Sequence, residues 1–535
     1  MAALLAAGAP LLLAMQSTAT PLSPPLIGTQ GQPAPPEAPE AVPSSPTPAT
    51  DDLVAVRAGD GAAMIQGIVF LGVQAPAPVA QAARAFLGRP ASRDNLATLA
   101  QAISAAYARS GIALYTVAIP QQDLSGGQVK VQLAEGFVED VVYPQGASPL
   151  VRAYAERLRA ERPLGRRALE RYLSLMRDIP GAKVEVGLLR GGAPGAVRLS
   201  VTPSRKRSEF SFGVDNQAQS GLGRGQLRAG AKLYSLLRDG DRTDITLLSA
   251  IDLKRYRYVG IGHQTPLGSD GLTLGLSASH LDTRLKGLPI SGEAWTLGLS
   301  MSYPIIRGYK RNLTVSAGID GLNSDAALLG AVLSSDHIRA VRAGLGYAQT
   351  GKKSALAAAV SASRGIDIFG ARGTAGFTDP VFTKLVGRAS YDRMIGKRLT
   401  ARLRAVGQYS RDRLSGAERL AIGGPEFGRA FDTAILSGDR GAAGSMELAW
   451  RPLPSGRIKD SEVYGFVDGA RIRVLERAGL PSSRYDLASA GMGARLVYNP
   501  HASLTLEGAR VLDTPYAAAR GGWRFNIGWH VRMRR

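Results

Sequence analysis

From Ser208 to Arg535 apolar and polar residues take turns, and no stretch approaches the roughly 18 uninterrupted apolar residues that a membrane-spanning helix needs. Leu272, Leu274 and Leu276 alternate with Thr273, Gly275 and Ser277. Trp295, Leu297, Leu299, Met301 and Tyr303 alternate with Thr296, Gly298, Ser300 and Ser302. Near the end, Trp523, Phe525, Ile527, Trp529 and Val531 oppose Arg524, Asn526, Gly528, His530 and Arg532. Successive side chains of a strand point to opposite faces, so each segment has one apolar and one polar side. That is what a lipid-facing wall around a wet lumen requires. A soluble sandwich or propeller alternates too, but its core is richer in large residues than these faces of Gly, Ala, Ser and Thr. About 16 segments of about 10 to 14 residues fit into 208–535, an even number usual for a bacterial barrel.

The helical period appears only before this region. MIQGIVFLGV, from Met64, reads as a strand, and Ser92 can cap a helix that carries Leu96, Leu99, Ile103 and Tyr107 on one face. IALYTVAIP and GQVKVQLAEG add two strands, which makes a β, helix, β, β unit over 64–136. A similar plan follows over 137–203: FVEDVVYP as a strand, a helix near Leu150 to Leu158, a helix bearing Leu169, Leu173 and Met176, then AKVEVGLL and GAVRLSVTP. Two copies of one supersecondary plan in tandem predict repeated small α+β domains. The basic joint Ser204 to Arg207 separates them from the alternating region. Residues 21–63 are dense in Pro, Ser and Thr at their start and predict an extended linker. Residues 1–20 carry a short apolar run with small residues near Ala19 and predict a secretory signal, although no Lys or Arg precedes Arg57.

The formal charge of +22 first suggests nucleic acid. The basic residues are instead spread over the last two-thirds of the chain with no nucleic-acid module, so a basic interior or rim facing anionic lipid is expected, and no nucleic-acid partner. There is no cysteine for a thiolate site, and His263, His280, His337, His501 and His530 lacks any HExxH spacing. No phosphate loop, nucleophile elbow or telling pair of carboxylates is present, and GLGRGQLRAG around Gly223 opens no helix. No metal, cofactor or enzymatic activity is expected.

Three motifs carry a resemblance. IPQQDLSGGQVKVQLAEGFVEDV at 119–141 ends its last strand in Glu-Gly; IGGPEFGRAFD at 422–432 lies between the eleventh and twelfth alternating segments; YGFVDGARI at 464–472 lies on the strand pair that follows. With two small modules before a 16-strand barrel, they resemble the two-partner secretion transporters, the TpsB family of hemolysin and hemagglutinin exporters of the ShlB/FhaC/HecB type. These belong to the BamA-like superfamily of POTRA domains followed by a barrel.

The resemblance implies two POTRA domains and a 16-stranded antiparallel transmembrane β-barrel in the outer membrane, with the N-terminal domains in the periplasm. It implies a transporter that captures an unfolded passenger with an N-terminal secretion domain and exports it, working as a monomer among outer-membrane lipid and lipopolysaccharide. Its inward-folded loop tip falls here on Gly428, Arg429, Ala430 and Phe431, with Ala430 where the family has glycine. Its inner-wall signature falls on Phe466, Asp468 and Gly469. On this likeness Arg429 and Asp468 are expected to meet in a bidentate ion pair. Two features depart from the family: no plug helix is readable before Met64, and the chain ends Val531 to Arg535 rather than on an aromatic residue, leaving that role to Phe525 and Trp529. The alternatives are a BamA- or TamA-like insertion factor, a passive porin and a soluble adhesin. Porins have nothing like residues 64–203, and an adhesin has no need of the loop and wall motifs together.

Overall fold

Inward and outward registers can be read strand by strand from side-chain exposure in the computed structural model, which describes residues 63–534 apart from 288, 330, 454, 499–500 and 516–521. The expected signal, most of the linker and any plug segment lie outside the described residues. The chain divides into two units, meeting at Arg205 and Lys206.

The N-terminal unit holds two sheets of one plan. In the first, β1 (Gly67–Leu71) is followed by helices α1 (Ala77–Arg84) and α2 (Arg93–Arg109), then β2 (Tyr115–Ala118) and β3 (Gln128–Glu135). Strand β3 is central, parallel to β1 and antiparallel to β2. Ser92 Oγ accepts the Asn95 amide at 3.4 Å, satisfying a first-turn N–H of α2. The helix buries Leu96, Leu99, Ile103 and Tyr107 against Val117, Val129, Val131 and Leu133. Helix α1 is an addition to the expected plan; only Val79 and Ala83 of its eight residues are buried, too few to show a stripe in the sequence.

The second sheet repeats the order with β4 (Phe137–Val142), α3 (Pro149–Arg159), α4 (Arg166–Asp178), β5 (Ala182–Arg190) and β6 (Ala196–Arg205), β6 being central. Gly136 joins the two: its amide donates to Leu114 O at 2.7 Å and its carbonyl accepts from the Leu164 amide at 2.8 Å. A Cβ there would overlap the Leu114 side chain, which is why the strand ends in Glu-Gly. Leu99 is fully buried, so Leu99→Ala should cost about 2–5 kcal/mol. The expected result is faster proteolysis of residues 63–205 in the full chain with no change in the barrel, and an unchanged rate would contradict this core.

Sixteen strands form one closed barrel. They are β7 (Ser208–Asp215), β8 (Gln226–Tyr234), β9 (Arg242–Ala250), β10 (Tyr256–Leu267), β11 (Leu272–Arg284), β12 (Ile290–Arg307), β13 (Arg311–Leu328), β14 (Ala331–Thr350), β15 (Ser354–Gly365), β16 (Thr383–Met394) and β17 (Leu399–Ser410), then, after a long connection, β20 (Arg440–Trp450), β21 (Glu462–Val474), β22 (Ser483–Tyr498), β23 (Ala502–Asp513) and β24 (Trp523–Arg534). The connection carries the short β18 (Leu420–Ile422) and β19 (Leu436–Gly438), paired with each other. All barrel neighbours are antiparallel, and β24 closes on β7 from Gly528↔Asp215 to Arg534↔Glu209. Closure leaves no free ladder edge, as a wall in hydrocarbon requires.

Strands β12 to β14 run 18 to 20 residues, longer than the alternation suggested. Strand β12 absorbs Pro304, which has no N–H to give a ladder, at an irregularity between Pro304 and Ile306. Outward positions are apolar and exposed, as at Trp295, Leu297 and Leu299 of β12 and Met446, Leu448 and Trp450 of β20. The interleaved Ser445, Glu447 and Ala449 are buried. In water such a belt would be a very large exposed apolar patch; in a bilayer it is the lipid-facing wall. Among the described residues no helix is long and apolar enough to cross a membrane.

Candidate functional site

Residues 411–439, between β17 and β20, turn back into the lumen. Leu420, Ile422, Phe427, Phe431 and Leu436 are buried against Val386, Val406, Ala443, Ile472 and Leu487 of the inner wall. Burial of each such side chain contributes roughly 1.5–3 kcal/mol. The small ribbon of β18 and β19 stiffens the loop, and Gly423 (φ +112°) starts its tip where a Cβ would overlap Asp432 O. A turn closes at Gly428 (φ +73°), whose carbonyl accepts the Phe431 amide at 2.9 Å. Ala430 is accommodated there, with its amide 3.4 Å from Ser489 Oγ.

The tip meets the wall on β21, where Tyr464, Phe466 and Asp468 are 2–6% exposed while Val463 and Val467 on the alternate register are 47–48% exposed. Asp468 accepts the Gly428 amide at 2.8 Å, the Arg429 amide at 3.4 Å and Ser489 Oγ at 2.7 Å. Gly469 follows at a half-buried position opposite Gly444 and Ala488. The Arg429 guanidinium lies over the Phe466 ring, 4.2 Å from its centroid, and donates to Glu447 at 3.0 Å and Glu507 at 3.2 Å.

The bidentate Arg429–Asp468 pair expected above is thus corrected. Asp468 holds the turn's backbone, while the guanidinium passes to two glutamates on β20 and β23. The reason is geometric: two amides and a hydroxyl already occupy the Asp468 oxygens, and a planar guanidinium flat on Phe466 faces along the wall.

Those glutamates belong to a wider network. Arg402 on β17 donates to Glu447 at 2.7 Å and to Glu462 at 2.8 Å, and Arg495 on β22 donates to both at 2.7–2.8 Å. Tyr464 donates to Glu507 at 2.9 Å and Asn526 on β24 donates to it at 3.0 Å. Arg451 reaches Glu462 only at 3.8 Å. Glu507 therefore has one cationic partner among the described residues, the loop's Arg429.

The loop is tied down at two further places. Toward the seam, Asp432 pairs with Arg524 of β24 and Thr433 donates to Gln217 O. At the loop's start, Glu418, wholly buried, pairs with buried Lys384 of β16 and accepts Arg342 of β14 at 2.7 Å. Glu447, Glu507, Glu418 and Lys384 were not singled out from the sequence; at inward registers a charge is an ordinary lumen residue, and nothing local marks its partner.

Away from the loop, donor atoms of His280, Asp282 and Glu293 lie within 4.8 Å of one another. They sit on the outward side of β11 and β12. Asp282 bonds the imidazole at 3.2 Å and Glu293 accepts the Trp295 indole at 2.7 Å, which accounts for the grouping without an ion.

Residues 195–496 match the family model of the haemolysin secretion/activation proteins ShlB/FhaC/HecB, more than half of the chain, and residues 64–136 match the ShlB-type POTRA domain. The heme/hemopexin transporter protein HuxB of Haemophilus influenzae is 28% identical over 234 residues, 42% of this chain and 41% of its own length. The match thus spans about two-fifths of that relative. The outer membrane transporter CdiB of Dickeya dadantii is 25% identical over 412 residues, 72% of each chain. Among solved structures, CdiB from Escherichia coli superposes with a TM-score of 0.73 over 92% of this chain and 94% of its own, at 19% identity. BamA from Haemophilus ducreyi lacking POTRA domains 1–3 does so with a TM-score of 0.53 over 87% and 99%, at 13% identity. The chain belongs to the haemolysin secretion/activation protein family ShlB/FhaC/HecB, as an outer-membrane β-barrel with its N-terminal α/β region in the periplasm.

Proposed function

We propose that this protein exports an unfolded passenger protein across the outer membrane by two-partner secretion, without catalysing a reaction. The observation that carries the reading is the loop of residues 411–439, which packs against the inner wall and is also held by ionic and hydrogen-bonded contacts at Arg429, Asp432 and Glu418. A plug held by an apolar face and a few discrete polar contacts, none of them a ladder bond of the barrel, can leave and return without unfolding the wall. Residues 1–20 serve as the export signal, 21–63 as a linker, and 64–136 and 137–203 as two POTRA domains that present edge strands. An extended passenger can add to such an edge through main-chain hydrogen bonds. It then threads the polar lumen as the loop moves, and folding outside the cell supplies the direction. The transporter works as a monomer embedded in outer-membrane lipid and lipopolysaccharide.

The test is secretion of a large β-helical protein encoded beside this gene, with and without the chain. Passenger should reach the medium only when the chain is present, and a photoreactive residue at Thr116, exposed on the edge strand β2, should crosslink to it in transit. Equal secretion without the chain would overturn the reading, and an absence of crosslinks would remove the capture step. If outer-membrane proteins are depleted instead when the chain is missing, it is an insertion factor; the likeness to BamA is one of fold alone.

A further inference from the structure

Charge is distributed unequally between the two ends of the barrel. The chain enters β7 at Ser208 from its periplasmic region, so the turns between β12 and β13, β14 and β15, β16 and β17, and β20 and β21 lie at the periplasmic end. Each of these four presents two exposed cations: Lys310 with Arg311, Lys352 with Lys353, Lys397 with Arg398, and Arg457 with Lys459. None of the eight has a carboxylate within ion-pair reach among the described residues, and the nearest acid in sequence, Asp460, is half-buried. At the opposite end several arginines are matched by acids: Arg255 pairs with Asp252 at 3.1 Å, Arg413 with Asp379 at 2.7 Å, and Arg477 with Asp439. Of the other periplasmic turns, those at 235–241 and 268–271 carry Asp239, Asp241 and Asp270 and a single cation, Arg238, and the one at 499–501 has no Lys or Arg in its sequence. Apart from the joint at Lys206 and Arg207, the unmatched charge is therefore concentrated on an arc of four consecutive turns of one rim.

Exposed apolar side chains lie near three of the four cation pairs: Ile305 (50%) near the end of β12, Ile395 (58%) and Ile458 (43%). They continue the lipid-facing belt, whose last aromatic on β20 is Trp450. Cations on long aliphatic stems beside apolar anchors suit the level where hydrocarbon gives way to head groups, the stem lying along the apolar surface and the ammonium reaching up. A lysine ammonium is a strongly hydrated point charge that takes phosphate oxygens without needing a fixed fork.

From these observations we infer that this arc is a binding surface for anionic phospholipid of the periplasmic leaflet, with phosphatidylglycerol head groups seated across the four turns. The partner must bring negative charge, since the protein brings none, and must tolerate adjacent apolar side chains, which a bilayer interface does. Basic residues near an anionic leaflet attract it additively and over a short range, so eight on one arc favour a local ring of anionic lipid. The inference needs only the membrane location and stands apart from the export reading.

The test uses the full chain purified in detergent, exposed to mixed micelles of phosphatidylglycerol and phosphatidylethanolamine, with retained lipid counted by native mass spectrometry. The variant Lys310→Glu/Lys352→Glu/Lys353→Glu/Lys397→Glu should lose phosphatidylglycerol about tenfold or more while phosphatidylethanolamine is unchanged. A milder set with glutamine at the four positions should fall between, and Lys286→Glu, at the opposite end, should match the parent. Heat-dependent gel migration checks that each variant is folded; if the glutamate set is not, the glutamine set decides. Equal retention in a folded variant overturns the inference. So does displacement of the lipid by millimolar inorganic phosphate, which would make the arc a site for soluble anions. Loss of secretion with phosphatidylglycerol retention intact also overturns it, in favour of an acidic stretch of the passenger.

Discussion

Arg429→Ala is expected to abolish passenger secretion while the barrel still inserts at normal levels. Glu447, Glu462 and Glu507 are each 4–8% exposed, and Arg402 and Arg495 on the wall satisfy only the first two. Without Arg429, Glu507 keeps the Tyr464 hydroxyl and the Asn526 amide but no cation. Removing one partner of a buried ion pair typically costs about 3–5 kcal/mol, because the other charge stays buried and unpaired. The loop's resting position carries this loss, since the wall network remains closed without it. Lysine should not rescue fully: its ammonium can reach carboxylates but has no planar face to lie flat on Phe466 while Nη1 holds Glu447 and Glu507 as the guanidinium does. Adding Glu507→Gln removes the stranded charge, so the double variant should recover heat resistance but not secretion. Passenger in the medium at matched outer-membrane levels is the measurement, and undiminished secretion from Arg429→Ala would reduce the residue to a structural bystander.

The barrel was legible because a lipid wall imposes one rule on every strand. Leu297 and Leu299 face hydrocarbon while Thr296 and Gly298 face inward, and the same rule recurs around the wall, so weak signals accumulate. Strand length was less legible: alternation does not stop where the bilayer does, and β13 and β14 continue past it. Helix α2 showed itself through Leu96, Leu99 and Ile103, whereas α1 buries too little to leave a stripe. At the loop, the resemblance singled out Arg429, Phe466 and Asp468, and the structure brings these three together. It could not show how roles divide between them, because Arg429's acidic partners sit on strands 18 and 78 positions away. A single sequence carries no trace of such a pairing, and Glu507 in LTLEGAR reads as any lumen residue would.

Glu418→Ala should loosen the loop at its other end and raise the conductance of the purified full chain in planar lipid bilayers. Glu418 and Lys384 are at most 1% exposed, and Arg342 joins them while also holding Asp320 at 2.8 Å. Alanine takes the Glu418 carboxylate away from both buried Lys384 and Arg342, again a loss of about 3–5 kcal/mol. Arg342 is partly protected because Asp320 remains. The loss falls where the loop leaves β17, so the first turn of the plug should lift before the tip, which Asp468 and Glu507 still hold. Openings should therefore be frequent and partial, unlike the full opening expected when the tip is freed by Arg429→Ala. Glu418→Gln keeps hydrogen-bonding capacity without the charge and should lie between. The pair Glu418→Leu/Lys384→Met separates stability from gating: apolar replacement of a buried pair is often close to neutral in stability. It should restore heat resistance and, by keeping the root packed, return conductance toward the parent. Parental conductance in a folded Glu418→Ala barrel would mean that the tip alone holds the plug; raised conductance in the apolar pair as well would mean that the charge on Glu418, rather than its packing, keeps the root in place.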